Sequence, residues 1–290
     1  GMACRLPGAE NLDEYLALLR EGRSGISELP EERLKREFYY APEKGVRGKS
    51  YSKLGGLIAD RPFDRQVCPI SEELIKSSDA SHLVLCEVAA AACRHAGYDP
   101  LNLRHRNTGV FVGHSGGSNL PGSMTFATLA DEMADFLGKS EAWQKLPAEL
   151  REPMKRETVD QVRREQPRHN ADGTPDLEPS AAASLISRAF GLTGPYMVLD
   201  AACASSLTAL ALGAQAVQQG RVDMALVAGA SYNKTDNLIL FSHAQSCSPS
   251  GSRPFDAKAD GLISSEGYVV LVIKTLEKAL ADGDTVHALI

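Results

Sequence analysis

Long hydrophobic runs are missing from this chain: nowhere do apolar residues continue for the roughly 20 positions that cross a bilayer. There is also no amino-terminal pattern of basic residues, apolar core and small-residue cleavage site. Membrane insertion and export are therefore not expected. Positive charge is in short supply, with 31 Lys and Arg against 37 Asp and Glu and a net charge of −6. General nucleic-acid binding needs a basic face toward the phosphates, so that class of function is disfavoured. Six cysteines occur (Cys4, Cys68, Cys86, Cys93, Cys203, Cys247), but none forms a C-x-x-C pair. Neither a zinc site nor a disulfide framework is predicted. Thiols without an export signal point to the cytoplasm.

What is present suffices for a sizeable core: 43% of the 290 residues are hydrophobic, and the length suits one large domain or two. Asn11 is placed to cap a helix through Leu19, with Leu12, Tyr15, Leu16 and Leu19 on one face. Residues 21–70 are loop-rich and charged. Asp79 is placed to cap a longer helix running to about His95, which Gly97 stops. Cys86, Cys93 and His95 on that stretch read as packing residues, since free cysteine buries readily. A strand over 109–113 leads into His114-Ser-Gly-Gly-Ser118. That loop superficially suggests phosphate binding but lacks the Gly-Lys-Ser ending of a P-loop.

Residues 119–179 differ in character, with dense mixed charge, the only tryptophan (Trp143) and a breaker-rich run from Pro167 to Pro179. Short helices and a surface loop are expected there, rather than an independent domain. Ser180 is expected to cap a helix over Ala181–Phe190 that Gly191 ends. Strands are predicted over 224–227 and 267–273, a helix over 276–280, and a final strand from Val286 to Ile290. Strands alternating with helices argue for a layered α/β fold.

The most informative stretch is Gly194-Pro-Tyr-Met-Val-Leu-Asp-Ala-Ala-Cys-Ala-Ser-Ser-Leu207. An apolar strand reaches Asp200, small residues follow, and then a helical pattern runs to Ala216, apolar enough to be buried on most sides. Cys203 sits at the junction, where a sharp turn presents a nucleophile at the first turn of a helix. Helix-terminal N–H groups favour a thiolate, and the Cys203 backbone N–H is a candidate oxyanion donor. On pattern alone a small buried cysteine is the competing reading. Ser205 and Ser206 are expected to cap the helix rather than act as nucleophiles.

Asp200-Ala-Ala-Cys-Ala-Ser-Ser-Leu207 resembles the active-site cysteine motif of β-ketoacyl synthases, above all the ketosynthase domains of type I polyketide synthases. Gly1-Met-Ala-Cys-Arg-Leu-Pro-Gly8, Asn107-Thr-Gly-Val-Phe-Val-Gly113, Ser248-Pro-Ser-Gly-Ser-Arg-Pro-Phe-Asp-Ala257, Asp260-Gly261 and Ser265-Glu-Gly267 are similar to further blocks of that family, in its order. Lys49-Ser-Tyr-Ser-Lys53 and the polar insertion resemble iterative synthases such as those building enediyne cores.

The resemblance implies a thiolase-like layered fold (αβαβα) built of two similar halves. Residues 1–290 would be the N-terminal part of a ketosynthase domain, with 119–179 inserted and both ends cut. It implies an acyltransferase: Cys203 takes an acyl chain, and a carrier-bound malonyl-type extender condenses with it by decarboxylative Claisen chemistry. Substrates would ride on the phosphopantetheine of an acyl carrier protein, with no cofactor bound directly. Further partners would be the C-terminal half of the domain and a second copy in a homodimer. The family's two catalytic histidines, its lysine and a Gly-rich loop lie beyond the matched blocks. None of His82, His95, His105, His114, His169, His243 and His287 sits in a matching motif. His114 and His243 fall near strand ends, and Phe255, Asp256, Asp260 and Glu266 fall where the family borders its pocket, Glu266 as a buried hydrogen-bond acceptor. Condensation by these residues alone is not expected. A thiolase-fold enzyme acting on coenzyme A thioesters, or a non-catalytic dimerisation scaffold, are the alternatives.

Overall fold

The computed structural model describes residues 1–76, 78–103, 105, 107–118, 120–165 and 178–290. His169 and most of the Pro167–Pro179 run lie outside the described residues. In chain order the elements are β1 (Met2–Arg5), α1 (Leu12–Arg20), β2 (Ile26–Glu28), α2 (Arg36–Tyr39), β3 (Leu54–Gly56), α3 (Glu72–Lys76), α4 (Ala80–His95), β4 (Thr108–Gly113), α5 (Leu120–Thr128), α6 (Ala130–Gly138), α7 (Glu141–Gln144), α8 (Ala148–Glu165), α9 (Ala181–Ala189), β5 (Tyr196–Leu199), α10 (Ser205–Gln218), β6 (Met224–Ser231), α11 (Thr235–His243), β7 (Gly267–Ile273) and α12 (Leu276–Asp282).

Five strands form one mixed sheet in the order β1-β7-β6-β4-β5. β4 runs parallel to both β5 and β6, while β7 is antiparallel to β6 and β1. The central parallel strands β4 and β6 are Val- and Ala-rich because both of their faces are covered, as buried parallel strands require. On one face Val110, Val112, Leu226 and Val270 pack against Leu85, Val88, Ala89 and Ala92 of α4 and Ala182, Leu185 and Ile186 of α9. On the other, Phe111, Ala225 and Val227 meet Ala209, Ala216 and Val217 of α10. Each of these buried Val, Leu, Ile and Phe side chains contributes roughly 1.5–3 kcal/mol of transfer free energy, and each alanine methyl less.

Helix ends follow local chemistry. Asn11 accepts from the Glu14 N–H and Asp79 from the Ser81 N–H, as their positions predict. Gly97, Gly191, Gly220 and Gly283 follow helices with positive φ. Ser180 departs from expectation: it has helical dihedrals and makes no side-chain cap bond. The carbonyls of Glu178 and Pro179 instead take the N–H groups of Ala181 and Ala182, so the first turn is satisfied by backbone.

Three other expectations are corrected. Tyr15, Leu16 and Leu19 of α1 are exposed, and Leu18 is the buried residue, fitting against Gly8, where a Cβ would stand 2.9 Å from its Cδ1. α10 is not buried on most sides; Ser205, Ala209, Gly213, Ala216 and Val217 form one buried stripe, and Leu207 points outward. Val286–Ile290 forms no strand, since among the described residues it has no neighbour to complete a ladder. Helices α5 to α8 fill the predicted insertion and pack on themselves, with Ala130, Ala134 and Val159 at their centre.

Candidate active site

Cys203 lies between β5 and α10 in a tight elbow. Asp200 Oδ1 accepts from the Ala202 N–H at 2.9 Å, and Ala202 takes a left-handed φ of 49°, unusual for a residue with a side chain. Ser205 Oγ accepts from the Ala201 N–H at 2.9 Å and donates to the Ala202 carbonyl at 2.7 Å, closing the turn on itself. The serine thus ties the elbow rather than capping helix amides, and the N-cap position is Ala204, which makes no side-chain cap bond. Helix α10 begins at Ser205, so Cys203 stands just before the helix rather than in its first turn. Its side chain is exposed.

The elbow rests on two strand ends that carry no side chain. A Cβ on Gly113 would stand 2.4 Å from the Ser205 carbonyl carbon and 2.5 Å from the Ser206 nitrogen. One on Gly229, the register partner of Gly113 on β6, would stand 2.9 Å from Ser206 Cβ. At Gly113 backbone approaches backbone and at Gly229 it approaches the Ser206 side chain, closeness that only glycine permits. Beside the sulfur opens a cavity of about 530 Å³ lined by Leu6, Ser115, Leu210, Ser231, Val269 and Leu271 among others. Apolar walls with a few hydroxyls suit an acyl chain better than a charged ligand.

The loop after β4 is already occupied by an anion. Buried Asp79 accepts from Ser81 N–H and Oγ (2.8 and 2.7 Å), from Ser118 Oγ (2.7 Å) and from the Ser118 N–H (3.0 Å). Burial pushes this carboxyl up, and the bonds from Ser118 and Ser81 outweigh it and hold it below the ordinary range. His114 borders the cavity, but Gly113 faces α10, so strand alternation turns the His114 ring toward α4. There it packs edge-to-face on His82, with centroids 5.4 Å apart, and its Nδ1 lies 3.0 Å from the Ala230 carbonyl. A carbonyl only accepts, so Nδ1 carries the proton; burial holds the ring below its usual pKa, against the pull of that carbonyl and of Asp79. His243 accepts from the Gly48 N–H and is a surface staple.

The other nominated residues are not brought together. Phe255 projects fully into solvent from a left-handed backbone position, Asp256 holds a local turn, and Asp260 accepts from Ser248 and Ser250. Glu266 is buried and accepts from Arg33 and the Ile58 and Asn233 N–H groups. None of the four lines the cavity around Cys203. Lys49–Lys53 proves to be a clamp: Tyr51 OH donates to the Cys247 carbonyl, Ser52 to that of Ser248, and Ser50 meets Ser242. The remaining cysteines are buried. Burial raises Cys4 and Cys247 and takes Cys93 up to about 12, while Cys86 is raised by the adjacent Cys68 thiol, 3.4 Å away, and by burial. That Cys68–Cys86 contact, eighteen residues apart, has no signature in spacing. Among the described residues no group of His, Cys, Asp and Glu is placed to hold a metal, and no helix is long and apolar enough to cross a membrane.

Residues 1–279 match the family model for the N-terminal domain of β-ketoacyl synthases. A PKS-NRPS hybrid synthetase of Aspergillus niger is 33% identical over 293 residues, which cover all of this chain and 14% of that protein. A mycocerosic acid synthase-like polyketide synthase of Mycolicibacterium smegmatis is 35% identical over 295 residues, covering all of this chain and 12% of that protein. Among solved structures, the ketosynthase from module 6 of the bacillaene synthase of Bacillus subtilis superposes with a TM-score of 0.70 at 26% identity, over 99% of this chain and 41% of that one. An oxazolomycin ketosynthase domain of Streptomyces albus gives 0.72 at 25% identity, over 98% and 43%. The chain therefore spans a small part of these curated relatives and under half of these solved ketosynthases.

Proposed function

Because the chain belongs to the β-ketoacyl synthase family, we propose that it carries the nucleophile of a polyketide synthase ketosynthase and that Cys203 receives the growing acyl chain. The observation behind this reading is that one cysteine of six is exposed, and it stands on a strand-to-helix elbow at the mouth of an apolar cavity. The donor is an acyl thioester on the phosphopantetheine arm of an acyl carrier protein. Cys203 thiolate attacks the thioester carbonyl, its backbone N–H stabilises the tetrahedral oxyanion, and the carrier thiol leaves. In the second step a carrier-bound malonyl-type thioester loses carbon dioxide. The resulting enolate attacks the acyl-Cys203 carbonyl, which releases the thiolate and a β-ketoacyl thioester on the carrier.

Among the described residues the two histidines near the strand ends do not serve the enolate step at Cys203: His114 packs on His82 with Nδ1 directed at the Ala230 carbonyl, and His243 is held by Gly48. We assign that step to the C-terminal half of the domain, seated on the open α10 face, and place the assembly as a homodimer in the cytoplasm. The test is intact-mass spectrometry after incubation with acyl-pantetheine thioesters, beside Cys203→Ala, with circular dichroism to establish folding. An adduct of acyl mass on the wild type and none on the variant is expected. A folded wild type that takes no acyl group would remove autonomous acylation and leave a scaffold.

A further inference from the structure

The carboxylate of Asp79 does more than a helix cap requires. A cap needs one acceptor for one or two amides at the start of α4, and Oδ1 alone meets that need, accepting from the Ser81 N–H and also from the Ser81 hydroxyl. Asp79 also reaches across to the loop after β4, where Oδ2 accepts from Ser118 Oγ at 2.7 Å and both oxygens lie within 3.2 Å of the Ser118 N–H. The loop is shaped around it: a Cβ on Gly117 would stand 2.8 Å from Asp79 Cγ and 2.9–3.0 Å from its oxygens. At Gly116, with φ of +157°, the place of a Cβ is 2.9 Å from Lys234 Nζ. The loop is thus held by an internal anion at one end and flanked by a cation in the middle. Its first residues, Gly113, His114 and Ser115, line the cavity beside Cys203. Gly113 is also the point where β4 touches the elbow.

We propose that Asp79 is a positioning residue for the reaction at Cys203: by pinning residues 117 and 118 it fixes the wall formed by residues 113–115 and so selects which acyl chains fit beside the sulfur. The proposal deepens the ketosynthase reading and rests on it for the identity of the ligand, but the geometry of the wall is measurable without acyl transfer.

Asp79→Asn removes the negative charge. Ser118→Ala removes the hydroxyl half of the same tie from the loop side, keeps the Ser118 N–H bond and leaves the Ser81 cap of α4 intact. Each protein is alkylated with iodoacetamide and with N-octyl iodoacetamide, and adducts at Cys203 are followed by mass; acetyl- and octanoyl-pantetheine are run in parallel. Iodoacetamide rates within about twofold of wild type are expected, because the sulfur is exposed, while the ratio of long-chain to short-chain rates changes about tenfold in both variants. A role confined to capping α4 would lower stability in Asp79→Asn and leave that ratio where it was. An unchanged ratio in the folded variants overturns the proposal, and if Asp79→Asn does not fold, Ser118→Ala decides alone. Alkylation without acylation in the wild type would count against the ketosynthase reading, while the alkylation ratio still judges Asp79.

Discussion

On β7, Val270 is sealed against α4 while its neighbour Val269, on the opposite face, is open to the cavity beside Cys203. The same contrast runs across the sheet. The α4 and α9 side closes over Val112, Leu226 and Ile186 without exposure, whereas the α10 side leaves Leu207 69% exposed and the Cys203 thiol in solvent. One face is sealed along its length, and the other, sealed at Phe111, Ala225 and Val227, opens where the proposed chemistry lies. A nucleophile must be reached by a substrate, so the side that presents it cannot be packed to the same density.

Thiol reactivity should separate the two sides most sharply. With a small disulfide reagent, one thiol per chain is expected to react fast and five only on unfolding, because those five are buried out of reach. Thiolates are the reacting species, and Cys86 is also held protonated by the Cys68 thiol and by burial, as Cys4, Cys93 and Cys247 are by burial. Two fast thiols, or a fast phase that survives Cys203→Ala, would break the contrast. Core truncation comes next. Leu226→Ala on the closed face should cost about 2–5 kcal/mol in denaturant unfolding. Leu207→Ala on the open face should change stability by about 0.5 kcal/mol or less, and equal losses would show that the open face is also load-carrying in the isolated chain.

Gly113→Ala probes the seam between the faces. Its methyl would collide with Ser205 and Ser206 backbone, so about 1–3 kcal/mol is expected to be lost, together with a slower alkylation of Cys203 as the elbow lifts. The smallest effect is in pH. His114 is surrounded by His82 on α4, the Asp79 and Asp200 carboxylates and Lys234, and is held neutral by burial. Its folded pKa lies below the value of 6.5 it recovers on unfolding, so the unfolded chain binds the proton more readily and stability falls as pH drops below about 6.5. His114→Gln should flatten that slope by less than about 1.4 kcal/mol per pH unit, measured by urea unfolding at several pH values. An unchanged slope would place the titration elsewhere.

The features legible in the sequence are those fixed within a few residues. Asn11 and Asp79 cap helices because their side chains reach amides two or three positions on, and the turn that presents Cys203 is written into Asp200 and the small residues after it. What stayed hidden depends on contacts from far along the chain. Leu18, not its neighbours, anchors α1 because Gly8 leaves room for it. Leu207 and Ala211 of α10 are exposed and Leu210 and Leu212 only partly covered, so composition alone overstated its burial. The second half of Asp79's work appears only when Ser118, 39 residues away, is brought beside it.

The slot formed by Gly113 and Gly229 has a consequence for how high the sulfur rides above the sheet. The start of α10 sinks against β4 and β6 until its backbone touches Gly113 and the Ser206 side chain touches Gly229. The depth at which it stops is set by the absence of two methyl groups, and the height of the Cys203 thiol is a ruler cut by omission: adding either methyl would raise the sulfur relative to the far walls of its cavity, with every side chain on those walls unchanged.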